Sequence, residues 1–125
     1  MIAIALDLCL FTHCDTPVET QTLPVTATAY ITPSNTNKTY LGAWGDTLKP
    51  GVNAIAVSRD LLQKGLTYGD EVAIEGLEGT FRVMDKMHAR WTDKIDIYMG
   101  HDKKAASEWG KKKVIISWVV EAADD

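Results

Sequence analysis

The sequence predicts a mainly β domain: a small six-stranded barrel accompanied by one or two short helices. Six segments are rich in β-branched and aromatic residues, and clusters of Gly, Pro, Asn and Asp separate them. Only two short segments carry a helix cap and a glycine stop. Because strands and helices do not alternate as in a parallel α/β sheet, a closed or half-closed barrel is favoured.

The segments predicted as strands share this composition and are bounded by turn residues: 23–30, 53–58, 68–76, 78–85, 94–99 and 113–120. The third and fourth segments read as a hairpin. Two helices are predicted over 58–65, with Ser58 as N-cap, and over 102–110, with Asp102 as N-cap. Residues 31–51 are rich in Pro, Asn, Gly, Ser and Thr and predict a long loop, which in a compact domain is usually functional.

The chain is predicted to divide into a tail over 1–24, a barrel domain over 25–120 and an acidic end over 121–125. Residues 1–12 are mostly apolar, as in the central region of a signal peptide, although no basic residue precedes them and Asp7 interrupts them. A lipoprotein signal would make Cys14 the lipidated residue, and residues 15–24 suit a linker. A removed signal, a lipid anchor and a misread start all stay open. We expect a cell-envelope or secreted protein, with a phage-associated context as a further option.

Composition argues against several function classes. A net charge of −4 and a pI near 5.3 do not provide the basic face that nucleic-acid binding needs. The glycines form neither of the common nucleotide-binding motifs. His88 and His101 lack a metal-binding spacing and both cysteines lie in the terminal tail, so we expect no metal and no cofactor. No later apolar run is long enough for a transmembrane span.

Asp96 is the most unusual residue of the pattern because it lies inside a strand, between Ile95 and Ile97. Strict alternation puts it on the opposite face of the strand from these two residues. One interpretation is therefore that Asp96 is an ordinary carboxylate exposed to solvent. The other interpretation is a catalytic acid, since a rigid strand aims a carboxyl group well and apolar neighbours raise its pKa. Asp85 also ends a strand, where turn formers are common, and the pattern alone does not show that the two acids converge.

Two of the four tryptophans, Trp44 and Trp91, lie in predicted loops, where their rings can stack on sugars. The other two, Trp109 and Trp118, are expected in the core.

Four pieces of sequence occur in an order that is typical of one known family. They are "VTATAY" at 25–30, "IAVSRDLL" at 55–62, "YGDEVAIEG" with "GTFRVMDKM" over 68–87, and "DKIDIYM" with "WGKKKVIISW" over 93–118. Together they resemble the 3D (three-aspartate) domain, a double-psi β-barrel of the lytic transglycosylase A family and of muralytic stationary-phase survival proteins. This barrel is similar to those of the RlpA-like and expansin-like groups.

The resemblance implies roles for the two acids and for the strand that faces the cleft. Asp96 matches the last motif aspartate, the catalytic acid and base, and Asp85 matches the second, which lines the same groove. Thr28 and Tyr30 match cleft-facing residues that bind saccharide.

The chain departs from the family pattern at two places that we still assign to substrate binding. Ser58 replaces the first motif aspartate, with Asp60 two residues further on as a stand-in. The usual "DTGG" reads "DKMH", which puts Lys86 and His88 into the groove wall.

The resemblance implies a peptidoglycan lytic transglycosylase that cleaves the bond between N-acetylmuramic acid and N-acetylglucosamine and leaves 1,6-anhydromuramic ends. The alternative is a non-catalytic module that binds cell-wall glycan. A third option is an inverting hydrolase in which Asp85 activates water opposite a protonated Asp96. The expected partner in each case is a glycan strand of peptidoglycan.

Overall fold

The computed structural model describes residues 18–32 and 40–121. These residues form eight strands: β1 Val18–Tyr30, β2 Tyr40–Leu41, β3 Thr47–Leu48, β4 Ala54–Val57, β5 Glu71–Ile74, β6 Thr80–Lys86, β7 Lys94–Tyr98 and β8 Lys112–Glu121. Two helices complete them: α1 Arg59–Gln63 and α2 Lys103–Trp109.

Six of the strands close into a barrel in the order β1-β7-β4-β6-β5-β8, and β8 pairs back with β1. The pairs β1/β7 and β4/β6 are parallel, whereas the other four pairs are antiparallel. The two parallel pairs, each separated in the chain by intervening strands, give the double-psi arrangement. The predicted fold class, a mainly β six-stranded barrel with two short helices, is confirmed.

The barrel interior is filled by alternate side chains of every barrel strand, as the period of two requires. On β7, for example, Ile95 and Ile97 point inward and are almost completely buried, whereas Asp96 points outward. The inward-facing residues form one core: Val25, Ala27, Ile55, Val57, Leu61, Leu66, Val72, Ile74, Phe81, Val83, Ile95, Ile97, Val114, Ile116 and Trp118. Trp118 is therefore a core residue, as predicted, and Trp109 packs against the core from outside.

The first barrel strand is longer than the sequence indicates. β1 begins at Val18 and pairs with β8 from there onward, so residues 18–24 are strand and not linker. The partner of Val18 on β8 is Glu121, at the far end of the described chain, and a local pattern of Thr, Glu and Pro does not reveal it. At the other end, β8 includes Glu121. The predicted signal or lipid-anchor segment and the rest of the acidic end lie outside the described residues.

A short hairpin of β2 and β3 lies within the segment predicted as a loop. Strands of two residues have no readable period, which is why the sequence does not indicate them. The hairpin packs over the outer face of the barrel, where Leu48 joins Ala54 and Tyr98 in a second, smaller buried cluster. Among the described residues, no helix is both long and apolar enough to cross a membrane.

The two predicted helix caps behave differently. Asp102 caps α2 as expected, since its Oδ1 accepts a hydrogen bond of 2.9 Å from the backbone N–H of Ala105. Ser58 occupies the N-cap position of α1, but its side chain makes no capping bond. Its hydroxyl instead accepts from the backbone N–H of Lys94, at the start of β7.

Candidate functional site

Four outward-facing residues from four strands lie side by side across the barrel wall. Thr28 of β1 is in register with Asp96 of β7, Asp96 with Ala56 of β4, and Ala56 with Asp85 of β6. Directly opposite residues of paired strands point to the same face of a sheet. The four residues form what we call the acid row, which crosses three interstrand spacings, or about 14 Å.

A groove of about 360 Å³ opens above the acid row. Its floor and walls come from the ends of β1 and β6, from the middle of β4 and β7, and from the loop that follows β6. The lining residues are Tyr30, Ala56, Asp85, Lys86, Met87, His88, Trp91 and Asp96. The structure therefore brings the predicted residues Tyr30, Lys86 and His88 to the same groove as the two acids, and Thr28 contacts it through Asp96.

Asp96 is half-buried in the groove floor, and this burial raises the pKa of its carboxyl group above the ordinary value. The nearby charge of Asp85 acts in the same direction. A hydrogen bond from Thr28 and the charge of Lys94 oppose the rise but do not cancel it. Asp96 is thus a carboxyl group that keeps its proton to a higher pH than an exposed aspartate does.

The Thr28 hydroxyl can serve both protonation states of Asp96. Its Oγ1 lies 2.9 Å from Asp96 Oδ1 and 3.4 Å from the carbonyl oxygen of Ile95. A hydroxyl has one proton to donate and lone pairs to accept with. When Asp96 is ionised, Thr28 donates to it. When Asp96 is protonated, Thr28 can accept a hydrogen bond from the carboxyl O–H and donate its own hydrogen bond to the Ile95 carbonyl, so the side chain stays in place in both states.

Asp85 is held by the backbone around it. It is buried, and its Oδ1 accepts hydrogen bonds from the backbone N–H of Ala43, at 2.7 Å, and of Lys86, at 2.9 Å. Ala43 lies in the turn between β2 and β3, so the carboxylate attaches this hairpin to the barrel. Gly42 beside it packs directly on the carbonyl group of Met84, where a Cβ atom would overlap the oxygen.

Ala56 separates the two acids. Its side chain is a single methyl group, 5% exposed, on a strand whose four residues are all buried. A larger side chain at this position would fill the groove between the carboxyl groups. Sequence reasoning missed Ala56, because "AIAV" alternates two alanines with two larger apolar residues and does not indicate which of them borders a site.

Aromatic rings and cations flank the acid row. Tyr30 packs against Tyr98 at 5.3 Å between ring centroids. On the other side, Trp91 lines the groove with the Lys94 ammonium 3.9 Å and the Arg90 guanidinium 4.8 Å from its ring centroid. These separations are typical of cation–π contacts, which hold a ring and its cations together.

The loop that carries Met87, His88 and Trp91 is fixed at its start. The backbone N–H of Met87 donates to the Val57 carbonyl at 2.8 Å, and its own carbonyl accepts from Arg59 Nε at 3.0 Å. The altered "DKMH" segment therefore forms an ordered wall of the groove.

The structure does not bring Ser58 or Asp60 to the groove. Ser58 is fully buried, and its Oγ accepts from the backbone N–H of Lys94 at 3.0 Å. Asp60 Oδ2 accepts from the preceding N–H, that of Asp93, also at 3.0 Å. Although burial acts to raise the pKa of Asp60, hydrogen bonds from Ser58 and Asp93 lower it below the ordinary value. Both residues hold the start of β7, and so position Asp96 from a distance.

No group of three or more potential metal ligands gathers within 18–32 and 40–121.

Comparison with known proteins gives no matching family model and no matching curated protein. Among solved structures, the chain is similar to the apo form of an expansin from Clavibacter michiganensis, with 20% identity over 84% of this chain and a TM-score of 0.49. It is also similar to a mutant of that expansin in complex with cellohexaose, with 21% identity over the same share and a TM-score of 0.48. The chain covers about half, 52%, of the expansin's length.

Proposed function

We propose that this domain binds a glycan strand of a bacterial cell wall along the groove above the acid row. The observation that carries the proposal is the acid row itself: carboxyl groups of two strands, separated by one methyl group, on the floor of an outward-facing groove. Sugars offer hydroxyl groups for hydrogen bonds and apolar ring faces for packing. The groove offers carboxyl oxygens for the former and the rings of Tyr30 and Trp91 for the latter.

The charges around the groove favour a glycan that carries carboxylates. Lys86 lines the groove, and Lys94 and Arg90 lie against the ring of Trp91. The rim of the groove therefore carries three cations, although the protein as a whole has a net charge of −4. Peptidoglycan bears carboxylates on its peptide stems and on those muramic acids that carry no stem, so it fits such a rim better than a neutral glucan does. A location in the cell envelope or outside the cell, or in a phage, follows from this substrate and is part of the proposal.

The test is a binding measurement with purified sacculi and with soluble muropeptide oligosaccharides. Ala56→Leu should fill the groove and weaken binding by about tenfold or more, as for a central contact residue. Ala73→Leu is the matched control, because Ala73 is exposed on β5 and does not line the groove. Equal binding by the wild type and Ala56→Leu, with both folded, would refute the proposed site. Wild-type protein that binds no cell-wall glycan would refute the function.

Cleavage of the bound strand is a second candidate function, and the raised pKa of Asp96 favours it. A carboxyl group that stays protonated in the groove can donate its proton to the glycosidic oxygen. The carboxylate so formed then takes the proton of the muramic 6-hydroxyl, whose oxygen attacks the anomeric carbon. The bond to the leaving sugar breaks, a 1,6-anhydro ring forms, and no water is consumed. Thr28 supports both states of Asp96 in this cycle.

The acid row also bears on hydrolysis by two carboxylates. Asp85 and Asp96 are two interstrand spacings apart, about 10 Å between Cα atoms. Retaining hydrolases place their carboxyl groups about 5 Å apart, and inverting ones about 6.5–9.5 Å apart. Ala56 lies between the two acids, so the row accommodates the single-acid route and, with a water molecule between the carboxyl groups, inversion.

Mass spectrometry of soluble products from digested sacculi separates these outcomes. Anhydromuramic ends with wild type, absent with Asp96→Asn, would support the transglycosylase. Reducing ends would support hydrolysis by two carboxylates, and NMR of the anomer that forms first would identify inversion. No product from a protein that binds sacculi would leave the binding module as the function and remove the catalytic candidate.

A further inference from the structure

We propose that Trp44 and Tyr68 form a second sugar-binding surface, which extends the groove beyond Asp85 and takes a further ring of the same glycan strand. We call these two side chains the aromatic platform. This inference depends on the glycan binding proposed above, and adds to it a direction and a minimum length for the ligand.

The platform is an exposed pair of rings. Trp44 is 38% exposed and Tyr68 is 46% exposed, and their ring centroids lie 5.0 Å apart with the planes tilted by 47°. The two residues come from different loops, so the contact is made only in the folded protein. Large exposed aromatic side chains in contact with one another are typical of binding surfaces, because Trp and Tyr provide contact area with few torsions to immobilise.

Hydrogen bonds fix both loops. The Tyr68 hydroxyl donates to the Asp46 carboxylate, and Asp46 belongs to the same turn as Trp44. The backbone carbonyl of Asp46 also accepts from the N–H of Gly42 at 2.8 Å, which closes that turn. The platform is therefore held in shape before any ligand arrives, which reduces the entropy cost of binding.

Both loops are also attached to β6, the strand that carries Asp85. The N–H of Gly69, next to Tyr68, donates to the Val83 carbonyl at 2.9 Å. The N–H of Ala43, next to Trp44, donates to Asp85 Oδ1 at 2.7 Å. The position of the platform relative to the acid row is thus set by one hydrogen bond from each loop to β6.

Lys86 makes the platform continuous with the groove. Its side chain lines the groove, and its Nζ lies 5.5 Å from the ring centroid of Trp44. A glycan strand that crosses the acid row past Lys86 therefore reaches the platform next. Between the groove and the platform, Lys86 can pair with a carboxylate of the sugar. The occupant we assign is therefore a carboxylate-bearing glycan of more than two sugar units.

The experiment measures affinity against ligand length by calorimetry, with a disaccharide, a tetrasaccharide and an octasaccharide of alternating N-acetylglucosamine and N-acetylmuramic acid. Wild type should bind the longer ligands more tightly than the disaccharide. Trp44→Ala and Tyr68→Ala should lose about tenfold or more of octasaccharide affinity, as contact residues do, and keep disaccharide affinity. Val119→Ala is the control, since Val119 is 57% exposed on β8 and does not line the groove.

Tyr68→Phe separates stacking from hydrogen bonding, because it keeps the ring and removes only the bond to Asp46. It should retain most of the octasaccharide affinity that Tyr68→Ala loses. Unchanged length dependence in Trp44→Ala and Tyr68→Ala, while Ala56→Leu still loses binding, would overturn the platform and leave the groove. Wild type that binds none of the ligands would overturn both. A self-association that Trp44→Ala abolishes in sedimentation experiments, without any effect on glycan, would assign the surface to a second copy and overturn the proposal.

Discussion

Asp85→Ala tests whether this carboxylate holds the β2–β3 hairpin to the barrel. The substitution removes the acceptor of two backbone N–H groups, those of Ala43 and Lys86. A hydrogen bond to a charged group contributes about 1.5–3 kcal/mol. The two together give an upper range of about 3–6 kcal/mol, and water that reaches the freed Ala43 turn reduces it, so we expect a loss of about 3 kcal/mol.

Thermal and urea denaturation followed by circular dichroism measure this loss. For a domain of this size, about 3 kcal/mol corresponds to a fall in Tm of roughly 12 °C. Asp85→Asn keeps an oxygen acceptor at the same place and should cost less than half as much. A loss below about 1 kcal/mol for Asp85→Ala, within the range of ordinary surface substitutions, would refute the reasoning. An Asn variant as unstable as the Ala variant would show that the charge, and not the acceptor, is what matters.

Three further predictions concern the same region. Burial raises the pKa of Asp96 in the folded protein. As the pH rises, the Asp96 carboxyl group therefore loses its proton in the unfolded chain before it does so in the folded one. The free energy of unfolding falls over this range, until the pH passes the folded-state pKa. In urea denaturation, Asp96→Asn should therefore gain stability relative to wild type as the pH rises above the ordinary aspartate pKa of about 3.9, and a difference that is constant with pH would contradict this. Thr28→Val removes the hydrogen bond that lowers the pKa of Asp96, so the carboxyl titration followed by NMR should move to higher pH. A move to lower pH would contradict the donation from Thr28 to the ionised carboxylate. Gly42→Ala places a methyl group against the Met84 carbonyl and should cost about 1–3 kcal/mol in the same denaturation assay, and a neutral effect would show that the hairpin is not packed as described.

The fold could be predicted largely from local pattern. Ile95, Asp96 and Ile97 alternate in a way that assigns β7 and the face of each side chain, and this alternation depends only on neighbours in sequence. The cap of α2 was predictable for the same reason, because Asp102 reaches an N–H only three residues away. The start of β1 at Val18 was not predictable in this way, since its partner is β8.

The sequence by itself determined the six barrel strands in outline, the alternation of side chains along β7 and the two acids as candidate site residues. Only the tertiary structure decided that Thr28, Asp96, Ala56 and Asp85 share one row, because the barrel order β1-β7-β4-β6 joins strands that are far apart in the chain. It also decided that the hydroxyl of Ser58, a residue type that often caps helices, accepts a hydrogen bond from the backbone of β7 instead. The physical reason is the same in each case: a side chain's direction follows from the backbone of its own strand, whereas its partner follows from a register that long-range pairing sets.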